Sequence, residues 1–173
     1  MNNLLVTVCA RGGSKGVKGK NIRLLDGKPL IYYTIKQAKE WGRGKHIVVS
    51  TDSREIAKVA GSLGAEVPFV RPAELATDSA AKIPVIRHAL LTCQNIYHEK
   101  YDMVMDLDAT APIRKISDLE QALRLFKKEK PKTLFSAVPA RKNPYFNMVE
   151  EDGEGRANYS KPNTNFARRQ DAP

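Results

Sequence analysis

Cysteine is scarce in this 173-residue sequence: Cys9 and Cys93 stand far apart, with no C-x-x-C spacing. That argues against a disulfide framework and a thiolate zinc site, and it fits two packing residues in a reducing, cytoplasmic setting. Histidine is equally sparse, and His46, His88 and His98 lack the spacing of zinc ligands. No aromatic residue precedes Tyr32, so the basic N-terminal stretch has no stacking platform for nucleic acid. Long apolar runs are missing too. Leu4 to Ala10 ends at Arg11 after seven residues, where a membrane span needs about 20. Met1-Asn2-Asn3 brings no basic region of a secretory signal, so none is expected. Internal repeats and low-complexity tracts are absent from the sequence.

The sequence is also short of acid. Lys and Arg number 29 against 19 Asp and Glu, a formal charge of +10. Such an excess suggests an anionic partner: a nucleotide, a nucleic acid or an acidic membrane. Residues 1–50 hold ten basic residues and two acidic ones, so the N-terminal third carries most of it. The hydrophobic share of 42% is enough for a core, and the length suits one α/β domain or a domain with an appendage.

Leu4–Cys9 is short, apolar and β-branched at Val6, Thr7 and Val8, the pattern of a buried strand. A Gly/Lys-rich loop fills 10–21. Pro29 stands near the start of a helix that Gly42 stops after Trp41. Further strands are expected at His46–Ser50, Glu66–Val70, Met103–Leu107 and Thr133–Val138. Between them, D-x-x-E at Asp52–Glu55 opens a helix ending near Gly64, and a second helix spans Lys82 to Tyr97. Ser117–Glu120 opens a third, ending in Lys127, Lys128 and Lys130, which suit a helix C-terminus. The alternation implies an α/β fold: a doubly wound, mostly parallel, Rossmann-like sheet over residues 1–138, with ligands at the carboxyl ends of its strands. After Val138 the sequence turns proline- and glycine-rich, and 139–173 is expected to begin a separate lobe or arm.

The loop after the first strand carries the most chemistry. Gly12, Gly13, Gly16 and Gly19 free backbone N–H groups to form an anion nest. Arg11, Lys15, Lys18 and Lys20 add positive charge, Ser14 a hydroxyl and Asn21 an amide. Neither the P-loop pattern nor the dinucleotide G-x-G-x-x-G is satisfied. A polyphosphate at a strand end is still the ligand this chemistry suits.

The string also resembles the N-terminal motif of the CMP-sialic acid synthetases (acylneuraminate cytidylyltransferases), A-R-x-x-S-K-G-x-x-x-K-N. Ala10, Arg11, Ser14, Lys15, Gly16, Lys20 and Asn21 match it at the right spacing. Val49-Ser50-Thr51-Asp52 resembles the family's second-strand end. Arg71-Pro72-Ala73-Glu74-Leu75-Ala76 with Asp78 resembles its R-P-x-x-L-A-x-D segment. Thr110-Ala111-Pro112-Ile113-Arg114 resembles its T-S-P-L-R, and Arg168-Arg169-Gln170 its late R-R-Q.

The resemblance implies an enzyme that condenses CTP with an α-keto acid sugar. The sugar's anomeric hydroxyl attacks the α-phosphorus and pyrophosphate leaves. Arg11, Lys20 and Asn21 would take catalytic roles, and Ala10, Gly12, Gly13, Ser14 and Lys15 would join them around the triphosphate. Arg71 would recognise cytosine, helped by backbone groups near Ala80 and Lys82, because one guanidinium can donate to both O2 and N3. Arg168, Arg169 and Gln170 would face the sugar carboxylate or phosphate. Tyr145, Phe146, Tyr159 and Phe166 lie in the lobe that makes the family's dimer contact, which implies a homodimer.

One segment departs from the family. Asp108 stands where the sialate enzymes usually carry Gln, and Ala109 where they carry Pro. Carboxylates at i and i+2 of a strand end share a face. Asp108, and after it Asp106, are therefore candidate ligands for Mg2+ (or Mn2+). Asp108 also touches the sugar site, which widens the expected substrate to legionaminate and other bacterial nonulosonates. A Kdo-type or other sugar nucleotidyltransferase and a non-catalytic nucleotide-binding module stay open as alternatives. Nucleic-acid and membrane partners are not expected. Family members continue past the R-R-Q segment to an acidic D-x-D pair, so this sequence is expected to stop short of that segment.

Overall fold

The apolar run at 4–9 becomes the middle strand of a three-stranded parallel sheet. The computed structural model describes residues 3–138 and 148–161. The chain divides into two compact units, Met1–Lys130 and Pro131–Pro173. In chain order the first unit runs β1 (Leu4–Cys9), a hairpin of β2 (Leu24–Leu25) and β3 (Lys28–Pro29), α1 (Leu30–Trp41) and β4 (His46–Ser50). It continues through α2 (Arg54–Ser62), α3 (Lys82–Tyr97), β5 (Met103–Asp106) and α4 (Ile116–Glu129), with short 3-10 turns at Lys20–Ile22 and Ala73–Leu75.

Alternation along β1 sends its side chains to two cores. Leu4, Val6 and Val8 pack with Ile31 and Ile35 of α1, Ile56 and Ala60 of α2, and Leu119 and Leu123 of α4. Leu5 packs on the other face with Val48, Cys93 of α3 and Tyr101. Helices therefore cover both faces, as a doubly wound sheet requires. Burying each of Leu5, Ile31 and Ile35, which are at most 1% exposed, contributes about 1.5–3 kcal/mol.

The strand order is β4-β1-β5, all parallel, with Cys9 opposite Ser50 and Thr7 opposite Asp106. The chain leaves β1 for one neighbour and returns on its other side. The carboxyl ends of β1 and β5 thus flank a topological switch point, where such sheets bind ligands.

Two expected strands do not form. Glu66–Val70 shrinks to one bridge, Glu66 with Val48, because Pro68 lacks the N–H that a ladder needs. Thr133–Val138 has no regular structure, and Leu134, Phe135 and Val138 are exposed. No strand among the described residues pairs with it, so its strand-favouring Thr133, Phe135 and Val138 have no ladder to join. The helix starts also shift. Ser53, not Asp52, caps α2 and accepts from the Ile56 N–H at 3.4 Å. At α4 the capping residue is Lys115, whose N–H donates to Asp118 at 3.0 Å, so Ser117 falls inside the first turn. The β2–β3 turn is Asp26-Gly27, with φ of 48° and 72°. Positive φ at both central residues makes it the tight turn that D-G pairs favour.

In the second unit, β6 (Val149–Glu151) pairs antiparallel with β7 (Ala157–Tyr159). Asp152 closes the hairpin by accepting from the N–H groups of Arg156 (2.9 Å) and Glu154 (3.0 Å) and from the Asn158 amide (3.0 Å). Those donors hold its carboxyl down at about 2. Tyr159, an expected interface residue, is exposed on β7, whereas Tyr145, Phe146 and Phe166 lie outside the described residues. No helix among the described residues is long and apolar enough to cross a membrane.

Candidate active site

The loop after β1 is fastened at three points. The Ala10 N–H donates to the Ser50 carbonyl at 3.0 Å, continuing the β1–β4 ladder past its last strand residue. The Gly12 N–H donates to Asp52 Oδ1 at 2.9 Å, so the carboxylate expected to cap α2 holds this loop instead. A Cβ on Gly12 would lie 3.0 Å from Ser53 Cβ, which explains why glycine stands at this close approach. Asn21, 5% exposed, donates from Nδ2 to the Arg11 carbonyl at 3.0 Å. Its amide closes the loop on itself. Gly19, at φ 63°, makes the turn into the 3-10 segment that buries Asn21.

The basic side chains divide into two sets. Arg11 Nη2 and Lys15 Nζ each lie 2.5 Å from a different oxygen of Asp78. Lys15, then Arg11, holds the Asp78 carboxyl below the usual carboxylate range, against a smaller opposing effect of burial. Lys18 and Lys20 form no ion pair among the described residues. Gly13 is exposed and Ser14 half-buried. The Ser14 N–H donates to the Gly12 carbonyl at 2.9 Å, so the Lys20 ammonium, the Gly13 N–H and the Ser14 hydroxyl supply the loop's uncommitted donors.

Arg71 is only 5% exposed. Its Nε donates to Ser50 Oγ at 3.1 Å, its Nη2 to the Ser50 carbonyl, and its own N–H to the Thr51 carbonyl at 2.8 Å. Burial lowers its pKa, and the neighbouring Cys9, Asp52 and Asp106 pull the other way. Arg71 therefore ties the end of β4 to the segment after it, and its Nη1 has no partner among the described residues.

Lys82 opens α3, and its Nζ sits 2.7 Å from Asp106 while also contacting Asp108. Burial pulls this ammonium down, but the two carboxylates outweigh it and raise its pKa above the ordinary lysine value. Asp106 also accepts from Thr7 Oγ1 at 2.8 Å. The Asp108 carbonyl accepts from Thr34 of α1 at 3.0 Å and Arg114 Nη2 at 3.3 Å. Gln37 donates to the Pro112 and Arg114 carbonyls at 2.7 and 3.1 Å, pinning the loop after β5 to α1. An open groove of about 580 Å3 near Leu25, Tyr33 and Ile113 holds none of the expected site residues.

The Cytidylyltransferase family model matches residues 5–172. The chain belongs to this family. It is 50% identical over 173 residues to the post-translational flagellin modification protein B of Campylobacter coli. It is 49% identical over 173 residues to the CMP-N,N'-diacetyllegionaminic acid synthase of Campylobacter jejuni. Each alignment covers 100% of this chain and 73% of the relative. Among solved structures, CMP:2-keto-3-deoxy-manno-octonic acid synthetase complexed with CTP shares the fold, with a TM-score of 0.60 and 17% identity. That match covers 75% of this chain and 49% of that one, so the chain spans about half of the solved structure.

In this cytidylyltransferase, the fold brings the loop 10–21 and Asp106–Asp108 to the carboxyl ends of adjacent strands, with Lys82 joining from α3. Ala80 is half-buried two residues before Lys82. Arg168, Arg169 and Gln170 lie outside the described residues. Four site groups went unassigned at the level of sequence: Thr7, Asp52, Asp78 and Gln37. Asp78 had a signal, the last letter of R-P-x-x-L-A-x-D, but nothing local says that it reaches Arg11. Asp52 carried a competing local reading as a helix cap.

Proposed function

We propose that this cytidylyltransferase transfers CMP from CTP to the anomeric hydroxyl of a nonulosonic, sialic-type acid, releasing pyrophosphate. The observation that carries this is the meeting, at the switch point of the sheet, of a fastened cationic glycine loop with a strand-end carboxylate pair. In-line displacement at phosphorus depends on positioning and on neutralising charge at the leaving group. Arg11, Lys15 and Lys20 meet the triphosphate, together with the Gly13 N–H and the Ser14 hydroxyl. Asn21 and Gly12 keep that loop in shape, so they position rather than touch. Arg71 offers Nη1 to the cytosine, beside the backbone at Ala80 and Lys82.

Asp106 and Asp108 already converge on one cation, the Lys82 ammonium, and they are oxygen donors of the kind Mg2+ takes. Among the described residues no third acidic, His or Cys ligand completes a metal cluster. That suits an ion which fills its shell with water and phosphate oxygens. Asp108 and Asp106 would hold Mg2+ (or Mn2+), which when bound supplies charge neutralisation at the phosphates. Arg168, Arg169 and Gln170 meet the sugar acid, and the active form is a cytoplasmic homodimer. Two relatives near 50% identity, one of them named as a diacetyllegionaminic acid synthase, favour a legionaminate-type sugar. Asp108 in place of Gln points the same way.

The test is pyrophosphate release with CTP and Mg2+ against a panel of N-acetylneuraminate, diacetyllegionaminate, pseudaminate and Kdo, on protein as long as its relatives. Turnover is expected with a nonulosonate and with CTP above UTP, ATP and GTP. Equal tight binding of all four nucleotides would count against the Arg71 assignment. Turnover with Kdo alone would overturn the sugar assignment.

A further inference from the structure

We infer that Asp78 is a built-in stand-in for a phosphate group: its carboxylate holds Arg11 and Lys15 before nucleotide binds, and phosphate must displace it. This rests on the reading of the loop 10–21 as a phosphate cradle. The geometry is that of a bridging oxyanion. Oδ1 takes Arg11 Nη2 and Oδ2 takes Lys15 Nζ, both at 2.5 Å. Two non-bridging phosphate oxygens would engage the same pair in the same way, through charge-assisted hydrogen bonds. Asp78 arrives from the irregular stretch between the Ala73–Leu75 turn and α3, not from the loop it neutralises.

The pairing is not what shapes the cradle. The loop is already fastened by Ala10 to Ser50, Gly12 to Asp52 and Asn21 to the Arg11 carbonyl. Arg11 Nη1 lies 3.5 Å from the Ala76 carbonyl, so the guanidinium leans toward the 76–78 stretch as a whole. Asp78 is 23% exposed and Lys15 is 78% exposed, so solvent and a ligand both reach the pair. Asp78 is ionised at neutral pH, and the two cations hold its pKa lower still.

A carboxylate and a phosphate cannot both sit between the same two cations without like-charge repulsion. Ligand binding is then limited to molecules in which Asp78 has let go, and the apparent Kd rises by the reciprocal of that fraction. A free fraction on the order of one in ten raises Kd about tenfold. Asp78 is thereby an affinity-setting residue, one that favours release of pyrophosphate by competing for its site.

Calorimetric titration of CTP and of inorganic pyrophosphate tests this on wild type, Asp78→Asn, Asp78→Ser and Arg11→Ala. Both Asp78 variants are expected to bind each anion about tenfold more tightly. Their melting temperature without ligand should fall slightly, because the native ion pairs are gone. Opposite signs for stability and affinity are the signature, and Ser serves if the Asn variant folds poorly. Unchanged or weaker binding in a folded Asp78 variant overturns the inference. If Arg11→Ala loses binding while the Asp78 variants match wild type, the stand-in fails and the cradle survives. If folded wild type binds neither anion, both fail.

Discussion

At the amino end of the sheet, His46 stacks on Tyr97 at 4.1 Å, with its Nδ1 3.0 Å from both Glu66 oxygens and its Nε2 3.7 Å from Glu99. Tyr97 donates to Glu66 at 2.5 Å, and Lys45 pairs with Glu99 at 2.7 Å. At the carboxyl end, Asp78 bridges Arg11 and Lys15, and Lys82 bridges Asp106 and Asp108. Both ends are charged, and they differ in what the charges rest on. His46 is only 19% exposed and lies between two rings, since Tyr101 meets it edge-on at 6.0 Å. Burial raises the hydroxyl pKa of Tyr97, and Tyr101 is pushed up to about 12. The carboxyl-end pairs join a loop to a loop, or a helix start to a strand end, and their outer members face solvent. A charge network packed on rings serves stability; one hung between loops is available to a ligand.

The largest expected break in this comparison is Arg11→Ala. Losing one donor to a developing phosphate charge costs at least about 10²-fold in turnover. Pyrophosphate release measures it, and the melting temperature should barely move. Near-normal turnover in this variant or in Lys20→Ala would sink the cradle. His46→Ala should do the opposite. It removes a hydrogen bond to a carboxylate and a stacked ring contact, together worth about 2 kcal/mol of stability. Chemical denaturation reads that loss, while CTP affinity should stay at the wild-type value. A shift in CTP affinity beyond the loss of folded protein would erase the distinction between the ends.

The two ends were also unequally legible in the sequence. β1, β4 and α1 could be read directly, because periodicity, Pro29, Gly42 and the β-branched runs are local signals that tertiary packing then endorsed. The Glu66–Val70 strand failed on Pro68, a local signal outweighed by the flanking valines. The phosphate loop was legible as chemistry, since four glycines among four basic residues have few other uses. Its internal partners were not. Asp52 and Asp78 are ordinary cap and loop residues until the chain brings them to Gly12 and Arg11. Likewise Lys82 reads as a helix-start lysine, and only the β5 register brings Asp106 to it. The amino-end cluster left no sequence signal at all, because His46, Glu66, Tyr97 and Glu99 meet only through the bridge of Glu66 to β4 at Val48 and the end of α3.

The smallest predicted effect sharpens the comparison through pH. Lys45, against a lesser effect of burial, holds the Glu99 carboxyl below its ordinary value, with His46 helping. A carboxylate whose pKa is depressed in the folded state adds stability above its unfolded pKa of about 4.3. That contribution is lost as pH falls through the folded value. Wild type should therefore lose melting temperature on acidification below about pH 4 more steeply than Glu99→Gln, which has no carboxyl to protonate there. Asp78→Asn should flatten the same acid limb, because Asp78 is depressed too. Scanning calorimetry over an acid series checks both, and parallel curves for Glu99→Gln and wild type would remove Glu99 from the account. At neutral pH the two substitutions should part: each lowers the melting temperature slightly, but only Asp78→Asn tightens CTP, because only Asp78 sits where phosphate has to go.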